Sequence, residues 1–298
     1  MPRTLRIFHV DAFTNTPGGG NPAVVALDAA QVDAAAMQRI ASARQDGDWV
    51  FVLPPARSDA DLDVRFFSPR QELPFVGHAT LALHAVLART EPRALRRQHG
   101  STGIVEVSSS GNGEFSIRQV APALGRDINA TELGEVLLLL GLTPDQLDPR
   151  CPPRIAGGAS TRLLLGLTEI AALDRLAPRM SELAALSPRL GAQGFFAFVV
   201  GKDAGHVLTE SRMFCPAIGI DEDPVSGNAH AMLGIHLHAL GLLPTVAGRA
   251  QFTGQQGRHV RRPGQVNVTV EVDAAGQPVA ASIAGQAVVI DAARLMLA

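Results

Sequence analysis

One short pattern occurs twice in this chain, as "ELPFVGHATLAL" at residues 72–83 and as "EDPVSGNAHAML" at residues 222–233. Each copy passes from polar residues, Pro and Gly into an apolar run, which is typical of a loop that leads into a buried helix. The Glu, Pro, Gly and Ala of the two copies keep one offset of 150 residues, and an Arg-x-Phe-x-Pro segment precedes both copies. The spacing therefore indicates duplication of a whole domain, and we call the two copies the first and second junction.

The 298 residues accordingly divide into two predicted domains, 1–120 and 121–298, with the C-terminal strand able to add to the first. Each half is expected to contain strands, a polar-faced helix (31–44 or 181–190), a β-rich segment (48–54 or 194–201) and a second helix that begins at the Gly of the junction. A hairpin turn is expected within 108–117, and 121–127 is expected to be a linker.

The second helices, predicted at 78–88 and 229–241, are apolar on nearly every face, and a helix with that pattern is buried. A buried helix among short strands favours a sheet that curls around it. We therefore predict an α+β fold of two pseudo-symmetric domains, each a curled, mostly antiparallel sheet around a central helix.

Composition narrows the possible partners. The net charge is −2 and only 4% of residues are aromatic, which argues against nucleic acid as a partner, and the basic runs 93–99 and 258–263 are interpreted as solvated faces. The longest apolar runs fall short of the ~20 residues of a membrane-spanning helix, and no signal peptide is recognisable, so no membrane partner and a cytoplasmic location are expected. Cys151 and Cys215 form neither a metal-ligand spacing nor a disulfide framework.

The junctions themselves suggest chemistry. The first N–H groups of a helix have no partner within the helix and its dipole is positive there, so Gly77 with Ala79 and Gly227 with Ala229 are expected to bind a small anion. We expect the two helix starts to share one interdomain cleft. Candidate proton carriers or polar contacts lie in or near the junctions, namely His78, Asp223, Asn228 and, at the mouth of a strand in "QDGDWVFVLP", Asp48. Asp-Gly-Asp is also a common turn, so the sequence alone favours a loop role for Asp48 over a catalytic one.

Several stretches resemble the signatures of the PhzF-like isomerases, which are relatives of diaminopimelate epimerase. The stretches are "FHVDAFTNTPGGGNPAVVAL" (8–27), "FFSPRQELPFVGHATLALHAVL" (66–87), "EDPVSGNAHAMLGIHL" (222–237) and "GQQGRHVRRPGQVNV" (254–268). The resemblance implies two diaminopimelate-epimerase-like domains, a commonly dimeric assembly, and a proton transfer on a small carboxylic acid without metal or organic cofactor.

Carried over residue by residue, the resemblance places Asp48 where the family has the acidic residue that takes and returns the proton. His78 and Asp223 fall on the family's Gly-His and Glu-Asp-Pro positions, and Asn228 falls where a hydroxyl residue often follows the second Gly. Asp is one methylene shorter than the usual Glu, which changes the reach of the proton carrier. Asn donates hydrogen bonds but cannot be deprotonated.

Other interpretations remain open or are excluded. The cousin epimerases use two opposed cysteines, and those positions here hold Val76 and Ser226, so that mechanism is unavailable. A non-catalytic carboxylate-binding protein of the same fold is the main alternative, and a related dehydratase or racemase is another. "NTPGGGNP" (15–22) is no nucleotide loop, because neither a Gly-x-Gly-x-x-Gly helix start nor a Gly-Lys-Ser/Thr is present. The later histidines of the central helices are expected to be core or cleft residues rather than metal ligands, namely His84, His230, His236 and His238. Trp49 is expected to be a core strand residue rather than a pocket wall.

Overall fold

The computed structural model describes residues 4–44, 46–158 and 160–297. Its helices are α1 (Ala34–Arg44), α2 (Gly77–Ala88), α3 (Ala130–Leu140), α4 (Ile170–Asp174), α5 (Met180–Leu190) and α6 (Gly227–Ala239), with short 3-10 helices at Ala29–Gln31, Pro144–Gln146, Pro216–Ile218 and Arg258–Val260. Its strands are β1 (Thr4–Ala12), β2 (Asn21–Leu27), β3 (Asp48–Leu53), β4 (Leu62–Phe67), β5 (Glu72–Leu73), β6 (Leu95–Gly100), β7 (Gly103–Ser109), β8 (Glu114–Val120), β9 (Leu124–Asp127), β10 (Arg154–Gly157), β11 (Thr161–Leu167), β12 (Gly194–Asp203), β13 (His206–Cys215), β14 (Ile220–Asp223), β15 (Thr245–Val246), β16 (Arg249–Gln256), β17 (Gly264–Val272) and β18 (Pro278–Met296).

Runs of consecutive strands are separated by single helices or helix pairs, an order that agrees with the α+β class. The chain forms two compact units: residues up to Arg118 together with those from Ala284 onward, and Gln119–Ile283. The last strand joins the first unit because β18 pairs antiparallel with β1 over nine residues, from Thr4 to Ala12. The sequence places the boundary after residue 120 and leaves this strand open between the two domains.

In the first unit, eight strands pair in a ring around α2. The order is β1, β2, β3, β4, β6, β7, β8 and β18, and the pairing of β18 with both β8 and β1 closes the ring. Alternate residues of β3 face opposite sides of this sheet. Val50 packs in the core beneath α2, whereas Trp49 and Phe51 pack on the other face with Met37 of α1. Trp49 is fully buried, which confirms that it is a core residue.

The second unit repeats this arrangement. Strands β10 to β13 continue into β16 and β17, α6 contacts β16 and β17, and α5 packs with α3 on the opposite sheet face. The registers correspond, since Trp49 pairs with Phe67 in the first unit and Phe195 pairs with Phe214 in the second. The short strands correspond too, because Phe66 pairs with Leu73, and Met213 with Asp223. Strand pairing therefore supports the duplication read from the sequence.

The central helices begin at Gly77 and Gly227, as predicted from the junctions. Residues 79–86 of α2 and residues 229–237 of α6 are buried on every face, which confirms the expectation from their apolar pattern. Burial of each large apolar side chain contributes roughly 1.5–3 kcal/mol, so these helices anchor their units. The expected hairpin also forms, between β7 and β8.

Two sequence-based expectations need correction. The predicted linker 121–127 is strand for its second half, because β9 pairs antiparallel with β10. The basic runs are not simply solvated faces. Arg96 is buried beside Glu91, and Arg258 and His259 both bind Asp174, at 2.6 and 2.8 Å. Local charge in the sequence does not reveal a carboxylate that lies far along the chain.

Candidate active site

Asp48 is the first residue of β3, and a tight backbone contact holds its position. The strand runs parallel to β2, with Asp48 opposite Ala23. The preceding residue, Gly47, has φ of 129°, and a Cβ there would lie 3.0 Å from the carbonyl oxygen of Pro22. Only glycine adopts this conformation without strain. The Asp-Gly-Asp sequence is thus both a turn and the support of a strand-end carboxylate.

Asp48 faces the start of α2. Its Oδ2 atom lies 3.6 Å from Nε2 of His78, the second residue of that helix, and the two side chains are 22% and 15% exposed. Burial raises the pKa of Asp48 from its ordinary value of 3.8 to about 6. The Trp49 ring packs on the opposite sheet face. A carboxyl group that titrates near neutral pH can both accept and return a proton.

The start of α2 offers backbone donors beside this pair. Val76 is the N-cap residue, and its side chain carries no oxygen that could accept a hydrogen bond from the helix start. Gly77, His78 and Ala79 contribute the first N–H groups, where the helix dipole is positive. An anionic substrate group is therefore favoured next to Asp48, as the first junction predicts.

The second junction has the same backbone plan with different capping. Asp223 ends β14, and Ser226 caps α6 by accepting a hydrogen bond from the N–H of Ala229 at 3.3 Å. The predicted anion donor Ala229 is therefore engaged within the protein, which leaves Gly227 and Asn228 as the N–H groups that Ser226 does not bind.

The side chain of Gln256 connects two residues of the second junction by hydrogen bonds, and it was not predicted from the sequence. Its Nε2 donates to the carbonyl of Asp223 at 2.6 Å, and its Oε1 accepts from the N–H of Ser226 at 3.1 Å. The side chain is 2% exposed. The late "GQQGRHV" segment marks the region, but only the pairing of β16 beside β13 brings Gln256 to the junction.

A second network, also missed from the sequence, holds the turn before Asp48. Asp46 accepts hydrogen bonds from the Trp49 indole at 2.9 Å and from Arg44 at 3.1 Å, and its Oδ2 lies 3.1 Å from Nε2 of His9. The other ring nitrogen of His9 lies 2.6 Å from Asp291. Burial lowers the pKa of His9, but the hydrogen bonds to Asp291 and Asp46 outweigh it and raise the pKa overall. Strand pairing of β1 with β18 joins His9 to Asp291, 282 residues away, so no spacing rule finds it.

Three histidines of the central helices and both cysteines are buried among core residues. Burial lowers the pKa of His84, His230 and His236 to about 4, and each ring binds a neighbouring oxygen of Gln98, Ser226 or Pro152. These imidazoles are neutral core groups, as expected. Both cysteines are buried, and burial raises the pKa of each thiol to about 12.

Within residues 4–44, 46–158 and 160–297, no group of three or more His, Cys, Asp and Glu side chains is arranged to hold a metal ion. In the same part of the chain, no helix has both the length and the apolar character needed to cross a membrane.

Comparison with known proteins identifies the family of this chain. Residues 10–293 match the family model described as phenazine biosynthesis-like protein. The uncharacterized isomerase YddE of Salmonella typhimurium is 34% identical over 96% of each chain. The trans-2,3-dihydro-3-hydroxyanthranilate isomerase of Pseudomonas chlororaphis is 34% identical over 76% of this chain and 78% of its own. A Bacillus anthracis protein of the PhzF family superposes with a TM-score of 0.87 at 26% identity, over 99% of this chain and 100% of its own. The chain therefore belongs to the phenazine biosynthesis-like, or PhzF-like, isomerase family.

Proposed function

We propose that this protein is an isomerase that moves a proton within a small carboxylic acid, with Asp48 as the acid–base group. The observation that carries the proposal is a carboxyl group with pKa near 6, held 3.6 Å from His78 at an uncapped helix start. Family membership and relatives that are named isomerases support the reaction class. The hydroxyanthranilate substrate of one relative suggests a hydroxylated or amino-substituted ring acid here.

In this mechanism, the Asp48 carboxylate removes a proton from a carbon of the substrate and the resulting carboxylic acid returns it to another carbon. General acid–base catalysis of this kind contributes about 10²–10⁴-fold. His78 lies next to the reacting carboxyl and polarises the substrate. Asp223 binds and polarises it at the second junction, where Asn228 donates a hydrogen bond in place of the expected hydroxyl. Side chains alone carry the proton in this proposal. That both junctions bind one substrate molecule stays a prediction of the sequence, as do the homodimer and the cytoplasmic location.

The test is solvent exchange. Candidate ring acids and amino acids are incubated with the protein in deuterium oxide, and incorporation at carbon is followed by proton NMR. Asp48→Asn keeps the shape of the side chain but removes its proton, so it should abolish incorporation while ligand affinity changes only a few fold. Asp59→Asn, in an exposed turn 44% accessible and paired with Arg57, is the matched control and should exchange normally.

The pH profile adds a second criterion. Because the carboxylate form removes the proton, the exchange rate should rise with pH and reach half its plateau near pH 6. Normal turnover by Asp48→Asn would assign the proton carrier elsewhere. The alternative function, binding of a carboxylate without chemistry, is motivated by Asn228 at the hydroxyl position. It is favoured if acids bind and the wild type exchanges no proton with any of them.

A further inference from the structure

The position in the second unit that corresponds to Asp48 is Gly194. Both residues begin the strand that runs parallel to its neighbour, and each directly precedes the aromatic residue of an equivalent pair, Trp49 or Phe195. Across the parallel pairing, Asp48 lies opposite Ala23, and Gly194 lies opposite Arg162. The first unit thus places a carboxylate beside a small residue. The second unit places a small residue beside a guanidinium.

Arg162 occupies the space that Gly194 leaves. A Cβ on Gly194 would lie 3.0 Å from Cδ of Arg162 and 2.6 Å from Sγ of Cys215. The Arg162 charge lowers the pKa of the Cys215 thiol and the Asp223 charge raises it, although burial dominates. Arg162 and Asp223 therefore both lie close enough to Cys215 to act on it electrostatically.

The side chain of Arg162 lies on the sheet face that carries α6. Alternate residues of β11, Leu163, Leu165 and Leu167, pack into the core formed with α3 and α5 on the other face. Arg162 precedes Leu163, so it faces the opposite side. In the first unit the corresponding face and strand end bring Asp48 to His78, the second residue of its central helix. The residue of α6 at that position is Asn228.

Arg162 is only 8% exposed, and its donors are incompletely used. Nη1 donates to the carbonyl of Thr161 at 2.8 Å. Nε is buried and has no hydrogen-bond partner among the described residues. A buried donor without a partner destabilises the folded protein, so natural proteins rarely keep one without a ligand, a water or a function. A guanidinium presents its donors in a planar fork that matches a carboxylate.

We propose that Arg162, with Asn228 and the first N–H groups of α6, binds the carboxylate of the substrate. This inference rests on the proposed function for its substrate class and assigns the binding of the acid group to residues of the second unit.

The test measures preference for an acid over its amide by titration calorimetry, with anthranilate and 2-aminobenzamide as probes. Wild type should bind the acid at least about tenfold more tightly, because charge-assisted hydrogen bonds to the carboxylate are lost in the amide. Arg162→Met keeps the apolar stem beside Cys215 and should weaken anthranilate binding by about 10- to 100-fold, with little change for the amide. Arg175→Met, at a 62% exposed arginine of the same unit, should match wild type.

Two further variants keep the test decisive if Arg162→Met folds poorly. Arg162→Lys should retain the preference for the acid at reduced affinity, since an ammonium is a point charge without the fork. Arg162→Gln should lose the preference. Equal binding of acid and amide by wild type, or an undiminished preference in a folded Arg162→Met or Arg162→Gln protein, overturns the proposal.

The outcome is separable from that of the proposed function. If the acid preference depends on Arg162 but no acid exchanges protons, the isomerase proposal fails and the carboxylate site stands. If exchange depends on Asp48 and the acid preference does not depend on Arg162, the isomerase proposal stands and this inference fails.

Discussion

The helix starts at Gly77 and Gly227 share a backbone plan, but the side chains beside them differ in charge. The first has Asp48 and His78, a carboxylate–imidazole pair, and an N-cap residue, Val76, whose side chain makes no capping hydrogen bond. The second has a serine cap, and at the position of the carboxylate it has Gly194 next to a buried arginine. The two copies therefore share their backbone elements, but the charged side chains beside the helix starts differ.

An Arg–Glu ion pair lies at each junction, and the two pairs differ in how exposed they are. Arg65 binds Glu72 at 2.7 and 2.8 Å, and Arg212 binds Glu222 at 2.8 and 3.0 Å, so both copies keep one bidentate pair. The first pair is 34% and 43% exposed, whereas the second is 10% and 12% exposed. The same contact thus has a different energetic weight in each unit, which makes the comparison testable.

The largest effect is expected when the first junction receives the residue of the second. His78→Asn should lower the deuterium-exchange rate by about 10²–10³-fold, because the imidazole that polarises the substrate beside Asp48 is lost. The reciprocal Asn228→His should create no new activity, since no carboxylate stands at Gly194. Proton NMR in deuterium oxide measures both rates. An unchanged rate in His78→Asn would remove the imidazole from the mechanism.

The ion pairs are expected to give the next largest difference. Arg212→Met leaves the buried Glu222 and the carbonyls of Leu173 and Leu176 without their donor, and should lower the free energy of unfolding by about 3–5 kcal/mol. Arg65→Met should cost at most about 1 kcal/mol, because the Glu72 carboxylate remains solvated.

Urea unfolding followed by circular dichroism measures these two variants. The double change Arg212→Met with Glu222→Met is the control, and it should recover most of the loss because no uncompensated charge remains buried. Equal losses in the two units would show that exposure does not distinguish the pairs.

Because its pKa is raised, Asp48 should make the free energy of unfolding depend on pH. Gly194, the corresponding residue of the second unit, has no side chain that titrates. The folded protein keeps Asp48 protonated between pH 3.8, its ordinary pKa, and about 6, so the folded state binds more protons than the unfolded state in this window. Stability contributed by this group therefore falls as the pH rises from about 4 to 6. Asp48→Asn should become more stable than wild type across the same window, by up to about 3 kcal/mol above pH 6. Fluorescence of Trp49, the single Trp, reports unfolding of this unit. A constant stability difference between pH 4 and 8 would contradict the raised pKa.

The smallest effect concerns the space that Arg162 fills. Gly194→Ala places a Cβ 2.6 Å from Cys215 Sγ and 3.1 Å from the carbonyl of Phe214, and overpacking of this kind costs about 1–3 kcal/mol. Gly201→Ala in the same strand is the matched control, because its Cβ would lie 3.8 Å from the nearest atom, the carbonyl of Leu208. It should be neutral or slightly stabilising. Thermal unfolding of both proteins decides the point, and equal midpoints would show that Cys215, Arg162 and Phe214 make room for the added Cβ without cost.

The sequence by itself determined the duplication, the α+β class, the helix starts and the burial of both central helices. These features depend on local patterns: Gly and Pro at the junctions, and apolar residues on all faces of 79–86 and 229–237. The resemblance of "GDWVFV" to a family motif also selected Asp48 from a common turn sequence.

Only the tertiary structure decided what stands beside each strand end. Ala23 meets Asp48 and Arg162 meets Gly194 through parallel pairings between strands that are separated by a helix in the sequence. The antiparallel pairing of β1 with β18 brings His9 to Asp291, and the His9 ring also contacts Asp46. The pairing of β16 with β13 brings Gln256 to Asp223. No local spacing encodes these neighbours, because strand register and the alternation of side chains across the sheet select them. The pKa of Asp48 likewise comes from burial, which is a property of the packed unit rather than of the residue.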